Sequence, residues 1–96
     1  MTTWFVSRHP GALQWMRRHG PSFDRHVTHL AAADVQPGDR VYGTLPVPMA
    51  CEVCERGATY FHLSVPLPET ARGSELSVDQ LEVFGTNLQR FDVRRM

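Results

Sequence analysis

The sequence predicts a single α/β domain with a mostly parallel sheet, on three observations. Short apolar runs of strand character alternate along the chain with segments of helical spacing. The first run, Trp4-Phe5-Val6, is continuously apolar, as suits a strand covered on both faces. At 96 residues the chain is sized for one domain around one core, so that domain is expected to span residues 1–96.

Each element follows in order. Thr3–Ser7 reads as the first strand. Pro10 suits the first position of a helix, where its missing N–H would have had no partner. Ala12, Leu13, Trp15 and Met16 then recur at helical spacing, and Arg17, Arg18, His19 and Gly20 close the helix. Asp24–Leu30 is a weaker second strand, and Ala31–Asp39, containing Pro37-Gly38-Asp39, is a loop. Arg40–Leu45 reads as a third strand. Pro46-Val47-Pro48 leads into a helix from about Met49 to Arg56, ended by Gly57. Thr59–Val65 is a clear fourth strand, and Pro66–Leu76 a loop. Ser77 with Gln80 three residues on forms a capping box. Leu81, Phe84, Leu88 and Phe91 follow at steps of three and four, which predicts a last helix reaching Phe91, with Gly85 inside it at a cost of about 1 kcal/mol against Ala. Asp92–Arg95 reads as a short final strand. Strands alternating with helices require crossovers, which are right-handed in nearly all known cases. The expected architecture is therefore Rossmann-like, with three layers.

Composition narrows the function classes. Hydrophobic residues make up 42% and charged residues 21%, ordinary globular usage that predicts a folded, soluble chain. No apolar run approaches the roughly 20 residues a membrane span needs, and Met1-Thr2-Thr3-Trp4 lacks a basic leader, so a cytoplasmic location and no membrane partner are expected. Ten cationic residues balance ten acidic ones, and every cation is an arginine. Arginine's planar fork pairs bidentately with phosphate, although a GC-rich coding sequence would give the same bias. Zero net charge argues against a long nucleic acid as partner, while a compact phosphate ligand remains compatible. Cys51-Glu52-Val53-Cys54 supplies only half the ligands of a structural zinc site and lies in the second helix, so these cysteines read as small core residues in a reduced compartment.

In open α/β sheets ligands bind outside the carboxyl ends of the strands. Three loops should reach that edge: Ser7–Gly11, Leu45–Pro48 and Pro66–Ser77. Ser7-Arg8-His9-Pro10-Gly11 is the richest, because it sets a hydroxyl, a guanidinium and an imidazole before a helix start that attracts anions. Gly11 would let backbone approach closely. Arg8 could neutralise charge building on phosphorus, and His9 could carry a proton at physiological pH. An RNA-like substrate would bring its own 2′-hydroxyl nucleophile, so neither a metal nor another cofactor is called for. The alternative is that Ser7 and His9 cap the helix while Arg8 is solvated. His26 and His29, three apart on a strand, should face opposite ways and share no metal; His19 reads as a helix-terminal cation. His62 reads as a mid-strand structural residue. Thr44, Leu45, Pro46, Arg72 and Gly73 are candidate ligand contacts by position, with turn formation and solvation as the alternative for each.

Two resemblances attach to these residues. Val6-Ser7-Arg8-His9-Pro10-Gly11 is similar to the Arg-His-Gly that follows the first strand of histidine phosphatases, which would make His9 a phosphate acceptor. Here Pro10 stands in place of that glycine, and 96 residues are too few for that fold. A second resemblance runs over almost the whole chain. Trp4 to Ala12, Gly43-Thr44-Leu45-Pro46-Val47 with Ala50 to Gly57, and Ala71-Arg72-Gly73-Ser74-Glu75-Leu76 together resemble the short, single-domain Csx-type ancillary proteins of type III CRISPR systems. That resemblance implies a Rossmann-like fold related to the CRISPR-associated domains that sense cyclic oligoadenylate. It also implies a ring nuclease that cleaves cyclic tetra-adenylate to linear products and switches the antiviral response off. A non-catalytic module that senses or sequesters the cyclic nucleotide is the alternative. The chemistry of the residues assigns His9 and Arg8 to catalysis, and Ser7, Pro10, Gly11, Thr44, Leu45, Pro46, Arg72 and Gly73 to substrate binding. A four-nucleotide ring is compatible with a two-fold axis, so a homodimer is expected.

Overall fold

A computed structural model describes residues 1–67, 73 and 75–96. Among these residues the order is β1 (Thr3–Val6), α1 (Pro10–His19), β2 (Arg25–Val27), a 3-10 turn (Ala32–Asp34), β3 (Arg40–Gly43), α2 (Val47–Glu55), β4 (Thr59–Ser64), α3 (Val78–Val83) and β5 (Asn87–Phe91). The five strands form one sheet in the order β2-β1-β3-β4-β5. All neighbours are parallel except β4 and β5. The α/β, mostly parallel, Rossmann-like architecture expected from the sequence is the one observed.

Alternation along the strands divides the core. Phe5 and Tyr42 face α1 and α3, packing with Ala12, Trp15, Met16, Val78 and Leu81. Trp4, Val6, Val41 and Tyr60 face the other way, onto Ala50 and Val53 of α2 and onto Val35 after the 3-10 turn. Phe5 and Met16 on one face, and Val35, Val41 and Val53 on the other, are almost wholly buried. Each such side chain contributes about 1.5–3 kcal/mol relative to exposure. Helices α1 and α2 therefore leave adjacent strands β1 and β3 toward opposite faces, which opens a crevice between the carboxyl ends of those two strands.

The structure departs from expectation at the last helix. It stops at Val83, and Asn87–Phe91 is a strand antiparallel to β4, while Asp92–Arg95 has no strand structure. Gly85 adopts φ 78°, so the chain leaves the helix in a conformation side chains resist. The Thr86 N–H donates to the Leu81 carbonyl and the Gly85 N–H to that of Glu82, a Schellman closure. Gly57, φ 85°, closes α2 the same way, with Ala58 donating to Val53 and Gly57 to Cys54. That ending was legible because no apolar spacing ran past it. Cys51 is buried and Cys54 half-buried in α2, both with free thiols. Strand β2 is also shorter than predicted, ending at Val27. It pairs only with β1, and β1 gives way to the turn at Ser7, so Thr28–Leu30 have no neighbouring strand.

Candidate functional site

The turn after β1 is fixed by its own backbone. The Ser7 N–H donates to the Val27 carbonyl at 3.1 Å, the Ser7 carbonyl accepts from His26 Nε2 at 3.0 Å, and Ser7 Oγ accepts the His9 N–H at 3.1 Å. His9 precedes a proline, which disfavours helical backbone, and it sits extended at φ −98°, ψ 118° as the N-cap of α1. Its ring makes no capping hydrogen bond. Among the described residues the Arg8 and His9 side chains have neither an ion-pair nor a hydrogen-bond partner, and both are exposed. The structure thus locks the peptide and leaves the guanidinium and the imidazole exposed. The close approach expected at Gly11 occurs, but within the protein: a Cβ there would overlap the Leu76 carbonyl oxygen.

The loop after β3 is held from β4. Gly43 has φ 151°, and a Cβ would run into the Val6 carbonyl oxygen, so this glycine lets β3 lie against β1 at the crevice. Thr44 Oγ1 donates to the Leu63 carbonyl at 3.2 Å. The Leu45 N–H donates to Tyr60 Oη at 2.9 Å. Tyr60 is only 3% exposed, and its hydroxyl also lies 3.2 Å from the Gly43 carbonyl and 2.6 Å from His62 Nδ1. Burial pushes the Tyr60 phenol up, against the lowering by the Leu45 N–H, so it stays protonated and can donate.

These loops enclose a cavity of about 680 Å³ at the carboxyl edge. Its floor is apolar, built from Val6, Leu30, Leu45, Leu63 and Leu81 among others. Ser7, Arg8, His9, Thr28, His29, Thr44 and His62 add polar groups, and among the described residues no aspartate or glutamate lines it. Ser7, Arg8, His9, Thr44, Leu45 and Pro46 are therefore brought together as the sequence suggested. Pro10 and Gly11 begin α1 behind the wall and are not among the lining residues. Gly73 is exposed and does not line the cavity; Arg72 lies outside the described residues. The connection after β4 contributes Leu67 and Leu76 instead.

Two contributions were missed by sequence reasoning. Thr28, His29 and Leu30 join the wall because β2 ends early, and the signal was available: a parallel β2 must deliver its following loop to the same edge. His62 was set aside as mid-strand. In register it lies opposite Gly43, the last residue of β3, so it stands at the carboxyl edge and lines the cavity. Among the described residues no group of three or more His, Cys, Asp or Glu side chains could hold a metal ion.

Residues 4–94 match the family described as "Putative CRISPR-associated protein (Cas_VVA1548)". The chain belongs to this family. The match takes in every residue that lines the cavity. No curated protein and no solved structure matches the chain. Among the described residues of this CRISPR-associated protein, no helix is long and apolar enough to cross a membrane. Among the described residues its cavity is lined by one guanidinium, three imidazoles and no carboxylate, over a leucine-rich floor.

Proposed function

We propose that this CRISPR-associated protein is a ring nuclease, which binds cyclic tetra-adenylate at the carboxyl edge of its sheet and cleaves it without a metal to linear products, switching off type III signalling. The observation that carries this reading is the cavity itself, in which Arg8 and three histidines meet over an apolar floor and, among the described residues, no carboxylate stands to repel phosphate. Phosphates would engage Arg8 and the turn, and adenine bases the leucines. About 680 Å³ lies in the range of small-molecule sites and accommodates part of a four-nucleotide ring. Two copies of the chain related by a two-fold axis would share the rest, so the functional unit is a homodimer.

The reaction needs only proton transfer and charge stabilisation. The ribose 2′-oxygen attacks the adjacent phosphorus and gives up its proton to a base, for which His9 is placed. The bond from phosphorus to the 5′-oxygen breaks, its electron pair stays on that oxygen, and a proton completes a 5′-hydroxyl. Arg8 offsets the charge on the phosphoryl oxygens. The products end in a 2′,3′-cyclic phosphate.

The test is incubation of the purified protein with cyclic tetra-adenylate in EDTA, with products separated by chromatography. Linear fragments bearing a 2′,3′-cyclic phosphate are expected. Tight binding of a ring that stays intact would replace this reading with a sensor or sequestering module.

A further inference from the structure

The cleavage proposed above needs a proton donor for the leaving 5′-oxygen as well as a base, and the turn after β1 supplies one imidazole. The wall formed by β4 supplies another. His62 is half-buried, and its ring lies edge-on to Phe91 at 5.9 Å between centroids. Its Nδ1 is 2.6 Å from the hydroxyl of buried Tyr60. That hydroxyl accepts the Leu45 N–H and has a second acceptor for its own proton in the Gly43 carbonyl.

A phenol can donate once and accept twice. When the His62 ring is neutral at Nδ1, the Tyr60 proton points to Nδ1. When the ring carries a proton there, the Tyr60 oxygen receives it and turns its own proton to Gly43. Both protonation states of the imidazole are thus satisfied by rotating one hydroxyl, with no heavy atom moving. The contact also fixes which nitrogen is occupied behind the wall, leaving Nε2 as the exchangeable position. Among the described residues, the titratable and charged groups that share the cavity with this ring are Arg8, His9 and His29, with Tyr60 behind it and Cys54 near Tyr60.

We infer that His62 is a second proton-transfer group of the cavity, giving its proton to the departing 5′-oxygen, and that Tyr60 is its positioning residue. The inference rests on the ring-nuclease reading. In balance, His9 gains the proton of the 2′-hydroxyl, His62 loses one to the 5′-oxygen, and exchange with water restores both.

The experiment compares wild-type protein, His62→Gln and Tyr60→Phe in single-turnover cleavage of cyclic tetra-adenylate across pH, with affinity measured in parallel. A second substrate carries one bridging 5′-phosphorothiolate, whose sulfur leaves without needing an acid. His62→Gln should lose about 10²-fold or more in rate while binding stays within about three-fold, and should lose the alkaline limb of the pH profile. Its deficit should largely disappear on the sulfur-bridged substrate, which a misfolded or merely loosened site would not show. Tyr60→Phe should lose about ten-fold, with recovery on the same substrate. Added imidazole restoring part of the activity of His62→Ala is a further expected result. If wild-type protein cleaves the ring and His62→Gln cleaves it equally well, or stays equally impaired on the sulfur-bridged substrate, this role for His62 is overturned and the ring-nuclease reading stands. If wild-type protein binds the ring without cleaving it, both fall together, before any variant is needed.

Discussion

Replacing Asp39 tests how the crevice between β1 and β3 is maintained from its far end. Asp39 is 2% exposed and sits just before β3. Its Oδ1 accepts the Thr2 N–H at 2.8 Å, and its Oδ2 accepts the Gln36 N–H at 2.9 Å and the Trp4 indole N–H at 3.1 Å. The carboxylate therefore ties the start of β1 to the turn that starts β3. Asp39→Ala orphans all three donors. Thr2 and Gln36 are partly or fully exposed and recover water, so each costs little more than a net hydrogen bond, about 1 kcal/mol. The Trp4 indole is buried and cannot, which costs about 1–3 kcal/mol. The sum is about 3–5 kcal/mol. Asp39→Asn can keep the two Oδ2 bonds and lose only Thr2, for about 1–2 kcal/mol. Urea denaturation at neutral pH measures both. For a domain of this size a 3 kcal/mol loss lowers Tm by about 12–24 °C. Burial opposes ionisation of Asp39, but the Gln36, Thr2 and Trp4 bonds outweigh it and hold its pKa below the ordinary aspartate value. A depressed folded pKa means this stabilisation is complete above the unfolded value of about 3.9 and fades as pH falls through and below it. The gap between wild type and Asp39→Asn should therefore narrow in acid. Asp39→Ala within about 0.5 kcal/mol of wild type at neutral pH, or a gap that widens in acid, would refute the reasoning.

Three other outcomes are expected. Gly11→Ala forces a methyl onto the Leu76 carbonyl oxygen, backbone that cannot swing away, so melting should show a loss of about 1–3 kcal/mol as α1 and α3 separate. Arg8→Ala should weaken cyclic tetra-adenylate binding by about ten-fold to a hundred-fold, the worth of a charged hydrogen bond, whereas His9→Ala should lower the cleavage rate by about 10²–10⁴ and change affinity less; unchanged affinity in the first and an unchanged rate in the second would remove this turn from the site. Glu82, whose carboxylate is held low by the His19 hydrogen bond and then by Arg18 at 2.5 Å, links α1 to α3 on the exposed side. Glu82→Gln should lower Tm slightly at low salt and not at high salt, and the difference should vanish as pH falls below the ordinary glutamate range, because a depressed carboxylate stabilises only while ionised.

Much of the fold was legible because local and global preferences coincide. Trp4-Phe5-Val6 is apolar on both faces because helices cover both, and Pro10 begins α1 for the same steric reason that makes His9 extended. Where local pattern and tertiary demand diverged, the sequence misled. Leu81, Phe84, Leu88 and Phe91 satisfy a helical spacing, yet Leu88 and Phe91 belong to a strand, since one glycine at positive φ releases the chain and β4 offers it an edge to pair with. The same division applies to the cavity. Arg8, His9 and Thr44 follow strands directly and could be placed by topology alone. His62 could not, because its place on the wall depends on the register of β4 against β3, which sets it opposite Gly43, and on the buried Tyr60 hydroxyl that contacts its ring.

The polyanionic ligand proposed above requires a neutral chain to distribute its charge unevenly. Its ten cations and ten acidic residues cancel in sum. They do not cancel at the two ends of the sheet. At the amino end of β3 the buried charge is negative, the Asp39 carboxylate, and its negative charge is spent on three N–H groups of the fold. At the carboxyl end α1 and α2 both begin, so the positive ends of two helix dipoles converge where Arg8 and the histidines stand and where, among the described residues, no carboxylate lines the wall. A parallel sheet with its helices returning on both faces builds this polarity from topology, because each crossover helix must start where its strand ends. Attraction confined to one crevice is what the proposed cyclic oligonucleotide, a compact phosphate ligand, would use.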